Sequence, residues 1–126
     1  QFSAILTSIA LLGVTAVSTF SPVHAQTRDI SRADSTVMDM AQSYKSRDRK
    51  RLIALLPQVR GHVLEPWAAY WDLSARLDEA GPTEIQEFFS RFSGSYQEDR
   101  LRAELLLHYG RNRDWVAFNR EYPLTA

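Results

Sequence analysis

The sequence predicts an all-α fold of about six helices joined in antiparallel pairs. Three observations support this prediction: apolar residues recur at helical spacing, start and stop signals divide the chain, and apolar positions recur about 33 residues apart. A period of about 33 residues in helix pairs is typical of an α-solenoid or superhelix, in which each pair buries one face on the next. The length of 126 residues allows one such domain.

The first 25 residues differ in composition from the rest of the chain. They contain no Lys, Arg, Asp or Glu, and residues 4–20 form an apolar run interrupted only by Ser, Thr and Gly. Val23 and Ala25 suit the −3 and −1 positions of a signal-peptidase site, so we expect a signal peptide cleaved after Ala25. A membrane anchor is the competing interpretation, but the run is shorter than the roughly 20 residues that a span requires. Because the chain begins with Gln and lacks a basic n-region, we expect the signal to be truncated at its start.

The first helix pair is predicted after a polar segment, residues 26–32, that we expect to fray. The first helix runs from about Ala33 to Lys45 and the second follows a cap at Ser46 or Asp48, ending at Pro57. Their apolar faces consist of Val37, Met40, Ala41 and Tyr44, and of Leu52, Ile53, Leu55 and Leu56. Residues 58–64 are predicted to be a connector.

The second pair is the most aromatic part of the chain. Pro66 suits a first helical position, and Gly81-Pro82 ends this helix and begins the next, with Glu84 near its positive end. The apolar faces consist of Trp67, Tyr70, Trp71, Ser74 and Leu77, and of Ile85, Phe88, Phe89 and Phe92. The opposite, polar side of the first of these helices carries Asp72, Arg76 and Glu79.

The third pair begins at Ser95, which fits a capping box with Glu98. The helix from Tyr96 to Tyr109 buries Leu101 and Leu105 and ends at Gly110. Asp114 begins the last helix, which ends at Pro123 and has an apolar stripe of Trp115, Phe118 and Tyr122. Because the chain stops four residues after that stripe, we expect an exposed apolar patch and self-association of this piece.

The repeat is visible in corresponding residues of the three pairs. Arg47-Asp48, Leu52, Leu56 and Pro57 recur two periods later as Arg113-Asp114, Phe118, Tyr122 and Pro123. A shift of one period carries Leu52, Leu55 and Leu56 onto Ile85, Phe88 and Phe89, and carries Val37, Met40 and Tyr44 onto Tyr70, Leu73 and Leu77. Boundaries and apolar positions therefore shift together.

The composition argues against several classes of function. Fifteen basic and fifteen acidic residues balance, so the total charge does not favour nucleic acid as a partner. The histidines, His24, His62 and His108, lack metal-site spacing, and the chain has no cysteine. We expect no catalytic residue, no cofactor and no metal site. The aromatic face of Trp67, Tyr70 and Trp71 suggests sugar stacking, but its helical spacing favours core packing, with these rings, Phe88 and Phe89 mostly buried.

Three stretches resemble a known family. They are EPWAAYWDLSARL (65–77), PTEIQEFFSRFSGSYQEDRLR (82–102) and RNRDWVAFNREYP (111–123), and together they look like the N-terminal part of soluble lytic murein transglycosylases. The landmarks are the aromatic helix from Pro66 to Leu77, the DRLR of Asp99 to Arg102 and the RDW of Arg113 to Trp115. The resemblance covers most of Val59 to Pro123.

The resemblance implies a periplasmic enzyme that cleaves the MurNAc–GlcNAc bond of peptidoglycan and leaves a 1,6-anhydro-muramyl end. In that family the N-terminal helices form a U- or ring-shaped superhelix, and a C-terminal lysozyme-like domain supplies a catalytic glutamate normally followed by serine. No Glu-Ser dipeptide occurs in this chain, so no catalytic residue carries over. We therefore expect residues 26–126 to be the start of the scaffold, which meets glycan strands through the full-length protein. The alternative is a free-standing periplasmic helical-repeat module that binds a peptide or protein.

Overall fold

The computed structural model describes residues 23–125 as a chain of helices, and the surroundings of side chains from residue 32 onward. The helices are α1 (Val23–Lys45), α2 (Arg49–Leu55), α3 (Glu65–Ala75), α4 (Pro82–Arg91), α5 (Tyr96–Arg111) and α6 (Trp115–Glu121), with short 3-10 helices at Leu56–Val59 and Tyr122–Leu124. Between residues 23 and 125 there is no strand, so the all-α prediction is confirmed. Most of the predicted signal peptide, residues 1–22, lies outside the described residues.

The helices form pairs, α1 with α2, α3 with α4 and α5 with α6. The first helix of each pair packs against the first helix of the next, α1 against α3 and α3 against α5. Helix α2 also contacts α3. The result is a layer of first helices, with the second helices attached along it.

Among the described helices, the second helices recur at the offset found in the sequence, whereas the first helices begin at Val23, Glu65 and Tyr96 and do not. The second helices begin at Arg49, Pro82 and Trp115, so each starts one full period after the last. The turns before α3 and α5 share a second feature, a glycine in the left-handed region, with φ of 81° at Gly61 and 76° at Gly94. Each glycine N–H donates to the carboxylate of the glutamate four residues later, at 2.7 Å to Glu65 and 2.6 Å to Glu98.

The loops within the first and third pairs also match, at twice that offset. Arg47 and Arg113 both have a left-handed backbone, with φ of 58° and 56°. Asp48 and Asp114 cap the helices that follow, and their carboxylates accept a backbone N–H three residues later at 3.0 and 3.1 Å. The two predicted helix starts are therefore confirmed, with Asp48 rather than Ser46 as the cap of α2.

Two adjoining clusters form the core. The first contains Val37, Met40, Leu52, Val59 and Ala68, and the second contains Ala69, Tyr70, Leu73, Leu77, Ile85, Phe88, Phe89, Leu101 and Leu105. Trp71 packs against both clusters. The core is thus continuous along the repeat, because α3 contributes to the cluster on each side of it.

Several predicted boundaries were wrong. Helix α1 begins at Val23 rather than Ala33, so the segment expected to fray is helical. Helix α5 continues to Arg111 through Gly110, which was predicted to end it. The backbone of Gly110 stays helical. The chain turns at Arg113 instead, which has a left-handed backbone.

Predicted burial needs correction at two positions, and one predicted cap needs correction as well. Ile53 is exposed, because α1 and α3 approach α2 from the side of Leu52. Asp72 was placed on a polar face but is only 3% exposed, because its carboxylate pairs with Arg76 at the junction of α3 with α4. The capping box at Ser95 is half confirmed: its hydroxyl accepts the N–H of Glu98 at 3.2 Å, but Glu98 reaches the N–H of Gly94.

Candidate functional site

The strongest concentration of aromatic and polar side chains lies where α3 meets α5. We name this surface the α3–α5 face; it consists of Trp67, Tyr70, Trp71, Ser74, Tyr96, Arg100 and Glu104. Because successive helical residues turn by about 100°, Trp67, Trp71 and Ser74 lie on the opposite side of α3 from Asp72 and Arg76. Asp72 and Arg76 face α4. The α3–α5 face lies on the other side of α3 and therefore belongs to the layer of first helices.

A hydrogen-bond network centred on Glu104 joins the two helices. The hydroxyls of Tyr70 and Ser74 donate to the two oxygens of the Glu104 carboxylate. Nε of Arg100 donates to the Tyr70 hydroxyl at 2.8 Å, and Nη1 of Arg100 donates to the Tyr96 hydroxyl at 3.3 Å. Burial, and then the hydrogen bond to Glu104, raise the pKa of Tyr70 far above its ordinary value, so its hydroxyl remains a donor at neutral pH.

Aromatic rings pack around this network. The ring of Trp67 lies 5.9 Å from that of Tyr70, 6.0 Å from that of Trp71 and 5.9 Å from that of Tyr96. Tyr44 of α1 adds a ring 6.3 Å from Trp71, with the two planes 26° apart. Such spacing and tilts are typical of favourable aromatic pairs.

The predicted burial of the aromatic residues is confirmed at Tyr70, Phe88 and Phe89. It is only partly correct at Trp67 and Trp71, which are half-buried, because α1 and α5 flank them without covering their outer edges. Tyr96 is largely exposed. The α3–α5 face therefore combines a partly buried polar centre with aromatic surface that a ligand could reach.

A groove of about 390 Å³ continues the face toward the C-terminal end of α3. It is lined by Ser74, Asp78, Glu104, His108 and Arg111, among other residues. Arg49 closes one side of the groove through an ion pair with Asp78 at 3.1 Å. The lining contains both hydrogen-bond donors and acceptors, which suits a ligand that is rich in hydroxyl or amide groups.

Two further ionic clusters join the helices within a pair. Arg76 pairs with Asp72 at 2.6 Å and with Glu84 of α4, and its hydrogen bonds lower the pKa of Glu84. Arg102 pairs with Glu98 at 2.8 Å and with Glu121 of α6 at 3.0 Å.

In each ionic cluster, one arginine bridges a carboxylate four residues earlier and a second carboxylate on the partner helix. These bridges were not predicted from the sequence. The signal that could have indicated them is the spacing of four residues between the acid and the arginine on one helix face.

The chemistry of the α3–α5 face is that of binding. Glu104 accepts two O–H donors, so it acts as a hydrogen-bond acceptor and orients the hydroxyl of Tyr70.

His62 and His108 lie apart, with ring nitrogens bonded to Asp34 at 2.7 Å and to Asn112 at 3.0 Å. Among the described residues, no group of three His, Cys, Asp or Glu residues could hold a metal ion. No helix within residues 23–125 is long and apolar enough to cross a membrane.

The sequence analysis singled out Trp67, Tyr70 and Trp71 but missed Ser74, Arg100 and Glu104 as polar partners. The i, i+4 spacing of Arg100 and Glu104 on α5 indicates that they share a helix face, but it does not indicate that this face meets α3.

No protein-family model, curated protein or solved structure matches the chain. The resemblance to lytic transglycosylases therefore stays a prediction from sequence motifs.

Proposed function

We propose that this chain is the start of the helical scaffold of a periplasmic peptidoglycan lytic transglycosylase. The observation that carries the proposal is the packing of successive first helices, α1 against α3 and α3 against α5, with the second helices beginning at Arg49, Pro82 and Trp115, an arrangement compatible with a superhelical scaffold. The transglycosylase-like motifs within residues 59–123 support the assignment to this class of enzyme. In this proposal the scaffold positions a glycan strand, and bond cleavage takes place in a separate domain of the parent protein.

The α3–α5 face is the surface that we assign to glycan contact. Saccharides present flat C–H faces and many hydroxyl groups, and partly exposed tryptophan and tyrosine rings match the first of these features. Arg100, Glu104 and the groove beside Ser74 offer donors and acceptors for the second. The glycan itself carries few charges, which agrees with a face on which arginines and carboxylates are already paired.

The first test concerns the reaction. The parent protein, encoded by the complete gene, should release 1,6-anhydro-muropeptides from sacculi, whereas residues 26–126 alone should release none. Chromatography with mass spectrometry identifies the anhydro end. Products without this end, or release by residues 26–126, would contradict the proposal. Reading the gene beyond Ala126 for a lysozyme-like block with a Glu-Ser dipeptide provides an independent check.

The second test concerns the glycan contact. In the parent protein, the double variant Trp67→Ala, Tyr96→Ala should bind sacculi about tenfold more weakly, a loss of about 1.4 kcal/mol. Met38→Ala is the matched control, because Met38 is an exposed apolar residue of α1 that does not belong to the α3–α5 face. A co-sedimentation isotherm measures both variants. Equal affinity of the double variant and the control would remove the α3–α5 face from the proposal.

A second candidate function is a free-standing periplasmic helical-repeat module that binds a peptide or protein. The observation that favours it is the exposed apolar surface on α6, which includes Trp115, Val116 and Tyr122. A stop codon directly after Ala126 would favour this candidate over the transglycosylase scaffold.

A further inference from the structure

A cavity of about 420 Å³ lies where α3 and α4 meet the segment that follows α2. We name it the α3–α4 cavity. Its apolar lining consists of three buried residues, Ala69, Leu73 and Phe88, and two partly buried ones, Leu56 and Phe92. The volume falls within the roughly 300–1,000 Å³ that is typical of sites for small ligands, which combine an apolar lining with a few polar groups.

Two arginines that line the α3–α4 cavity are held in place by buried carboxylates. Arg76 donates at 2.6 Å to Asp72, which is 3% exposed, and it also donates to Glu84. Arg91 donates at 2.6 Å to Glu65, which is 8% exposed. Because these buried carboxylates fix the two guanidinium groups, the polar part of the cavity is largely ordered before a ligand enters.

The end of the cavity beside the C-terminus of α4 is positive. Arg60 lines this end and lies near Glu65, the partner of Arg91. Burial acts to raise the pKa of this carboxyl, but the hydrogen bonds that it accepts and the charges of Arg91 and Arg60 outweigh burial and lower it. Two guanidinium groups therefore share one carboxylate. Arg60 forms no ion pair with a described residue, so N–H donors remain for an anion at this end.

The rest of the polar lining is negative. Arg76 pairs with two carboxylates, those of Asp72 and Glu84, so this group carries one net negative charge. Glu87 is exposed and forms no ion pair with a described residue. Arg91 follows Glu87 by four residues on the same helix face, but it pairs with Glu65 of α3 instead. The carboxylate of Glu87 is therefore available to a cation.

The spacing of these groups limits the length of a matching ligand. Four residues separate Glu87 from Arg91 on α4, which corresponds to about 6 Å along the helix axis at a rise of about 1.5 Å per residue. The two charged ends of an extended dipeptide are about 7 Å apart, since an extended chain spans about 3.3–3.6 Å per residue. A dipeptide thus brings its carboxylate and its ammonium group to the two ends of this interval.

We propose that the α3–α4 cavity binds a zwitterionic dipeptide with apolar side chains. Its carboxylate accepts hydrogen bonds from Arg60 and Arg91, and its ammonium group donates to Glu87. Its side chains pack on the apolar lining beside Leu73 and Phe88. The inference depends on the charges and dimensions of the cavity and not on the proposed enzymatic context.

Charge complementarity at both ends favours a free peptide over an internal stretch of polypeptide. An internal stretch has peptide bonds in place of both termini, so its backbone provides neither charge. Residues 1–25 of this chain contain no Lys, Arg, Asp or Glu, so their side chains provide neither charge as well. A wholly apolar ligand would cover Glu87 and Arg60 without pairing them, which costs free energy.

The test compares three ligands, leucyl-leucine, N-acetyl-leucyl-leucine and leucyl-leucine amide, by NMR titration of the isotope-labelled 126-residue chain. Acetylation removes the ammonium group, and amidation removes the carboxylate, while both leave the side chains as they are. Each derivative should bind about threefold more weakly than leucyl-leucine, which is the effect of losing one partly exposed ion pair. Backbone amide signals around Leu73 and Phe88 should shift on binding.

Variants of the chain assign each terminus to its partner. Glu87→Gln should weaken the binding of leucyl-leucine about threefold and should not weaken that of the acetylated ligand, which has no ammonium group. Arg60→Gln should weaken the binding of leucyl-leucine and should not weaken that of the amide. Lys50→Gln and Asp99→Asn are the matched controls, because both residues are exposed and lie outside the cavity, and both should bind all three ligands unchanged.

Four outcomes would overturn the inference. They are the absence of saturable binding, equal affinity for the three ligands, equal effects of the cavity variants and the controls, and shifts confined to residues outside α3 and α4. Equal affinity would mean that the cavity accepts an apolar segment without reading its termini. Circular dichroism shows whether each variant remains folded, and Arg60 and Glu87 are both exposed, so changes in affinity report on the ligand contacts. None of these results depends on whether the parent protein releases anhydro-muropeptides.

Discussion

The loop and second helix of the first pair, residues 46–59, share their backbone design with the corresponding part of the third pair, residues 112–125. Both contain a left-handed arginine, an aspartate cap, a seven-residue helix and a proline in a closing 3-10 turn. Their side chains nevertheless meet different surroundings. Leu52 is completely buried, whereas Phe118 at the same repeat position is only partly buried, and Trp115 and Tyr122 beside it are 57% and 62% exposed.

This difference separates two contributions to the fold. Hydrogen bonds between residues three to five positions apart produce the same loop twice, whatever lies beside it. Burial depends on a neighbour, since both α1 and α3 pack extensively against α2, whereas the helix that packs extensively against α6 is α5. Local geometry and packing are therefore specified by different parts of the sequence, and substitutions in the two matching segments should distinguish them.

The largest effect is expected where burial differs. Leu52→Ala should lower the free energy of unfolding by about 2–5 kcal/mol, because it removes a fully buried side chain and leaves a cavity. Tyr122→Ala should change it by about 0.5 kcal/mol or less, because most of this side chain already faces water. Urea denaturation followed by circular dichroism measures both. Similar losses for the two variants would show that the ring of Tyr122 is packed in solution.

An intermediate effect is expected at the two matching turns before α3 and α5. Burial acts to raise the pKa of Glu65, but hydrogen bonds from the N–H of Gly61 and from Arg91 outweigh it, so the pKa lies below its ordinary value. Burial likewise opposes the hydrogen bonds from Arg102 and Gly94 to Glu98, and its pKa is also lowered. Both carboxylates are thus more stable as anions in the folded chain than in the unfolded one.

The stabilisation from Glu65 and Glu98 should be complete above the pKa of an unfolded glutamate, about 4.3, and should be lost as the pH falls through the lower folded values. The free energy of unfolding should therefore decrease below about pH 5. Glu65→Gln and Glu98→Gln should each make this decrease shallower, whereas Glu87→Gln, at an exposed position, serves as the control. An unchanged pH dependence in both variants would contradict the shared role of the two turns.

The smallest effect should be equal in the two pairs. Asp48→Ala and Asp114→Ala each remove a helix cap whose carboxylate accepts one backbone N–H, so each should cost about 1 kcal/mol. Equal costs would show that the two loops are energetically as well as geometrically alike. A clearly larger cost at Asp48 would mean that packing around α2 amplifies the loss of its cap.

Much of the candidate site could not be predicted from the sequence. The helical spacing placed Trp67, Trp71 and Ser74 on one face of α3, and that face is present. The spacing did not indicate that Glu104 of α5 would receive the hydroxyls of Tyr70 and Ser74, since these contacts join residues far apart in the chain. Pairing across such a separation depends on how the first helices align, which no local pattern encodes.

The sequence by itself determined where most of the helices begin and how the chain turns between them. Caps such as Ser95 and Asp114 bond to backbone groups within the same turn, so their effect is complete before any helix meets another. Only the tertiary structure decided which faces are covered. Asp72 is buried because Arg76 and α4 enclose it, whereas Trp115 and Tyr122 are 57% and 62% exposed. The physical reason is that a hydrogen bond within a turn needs nearby residues, whereas burial needs a second surface.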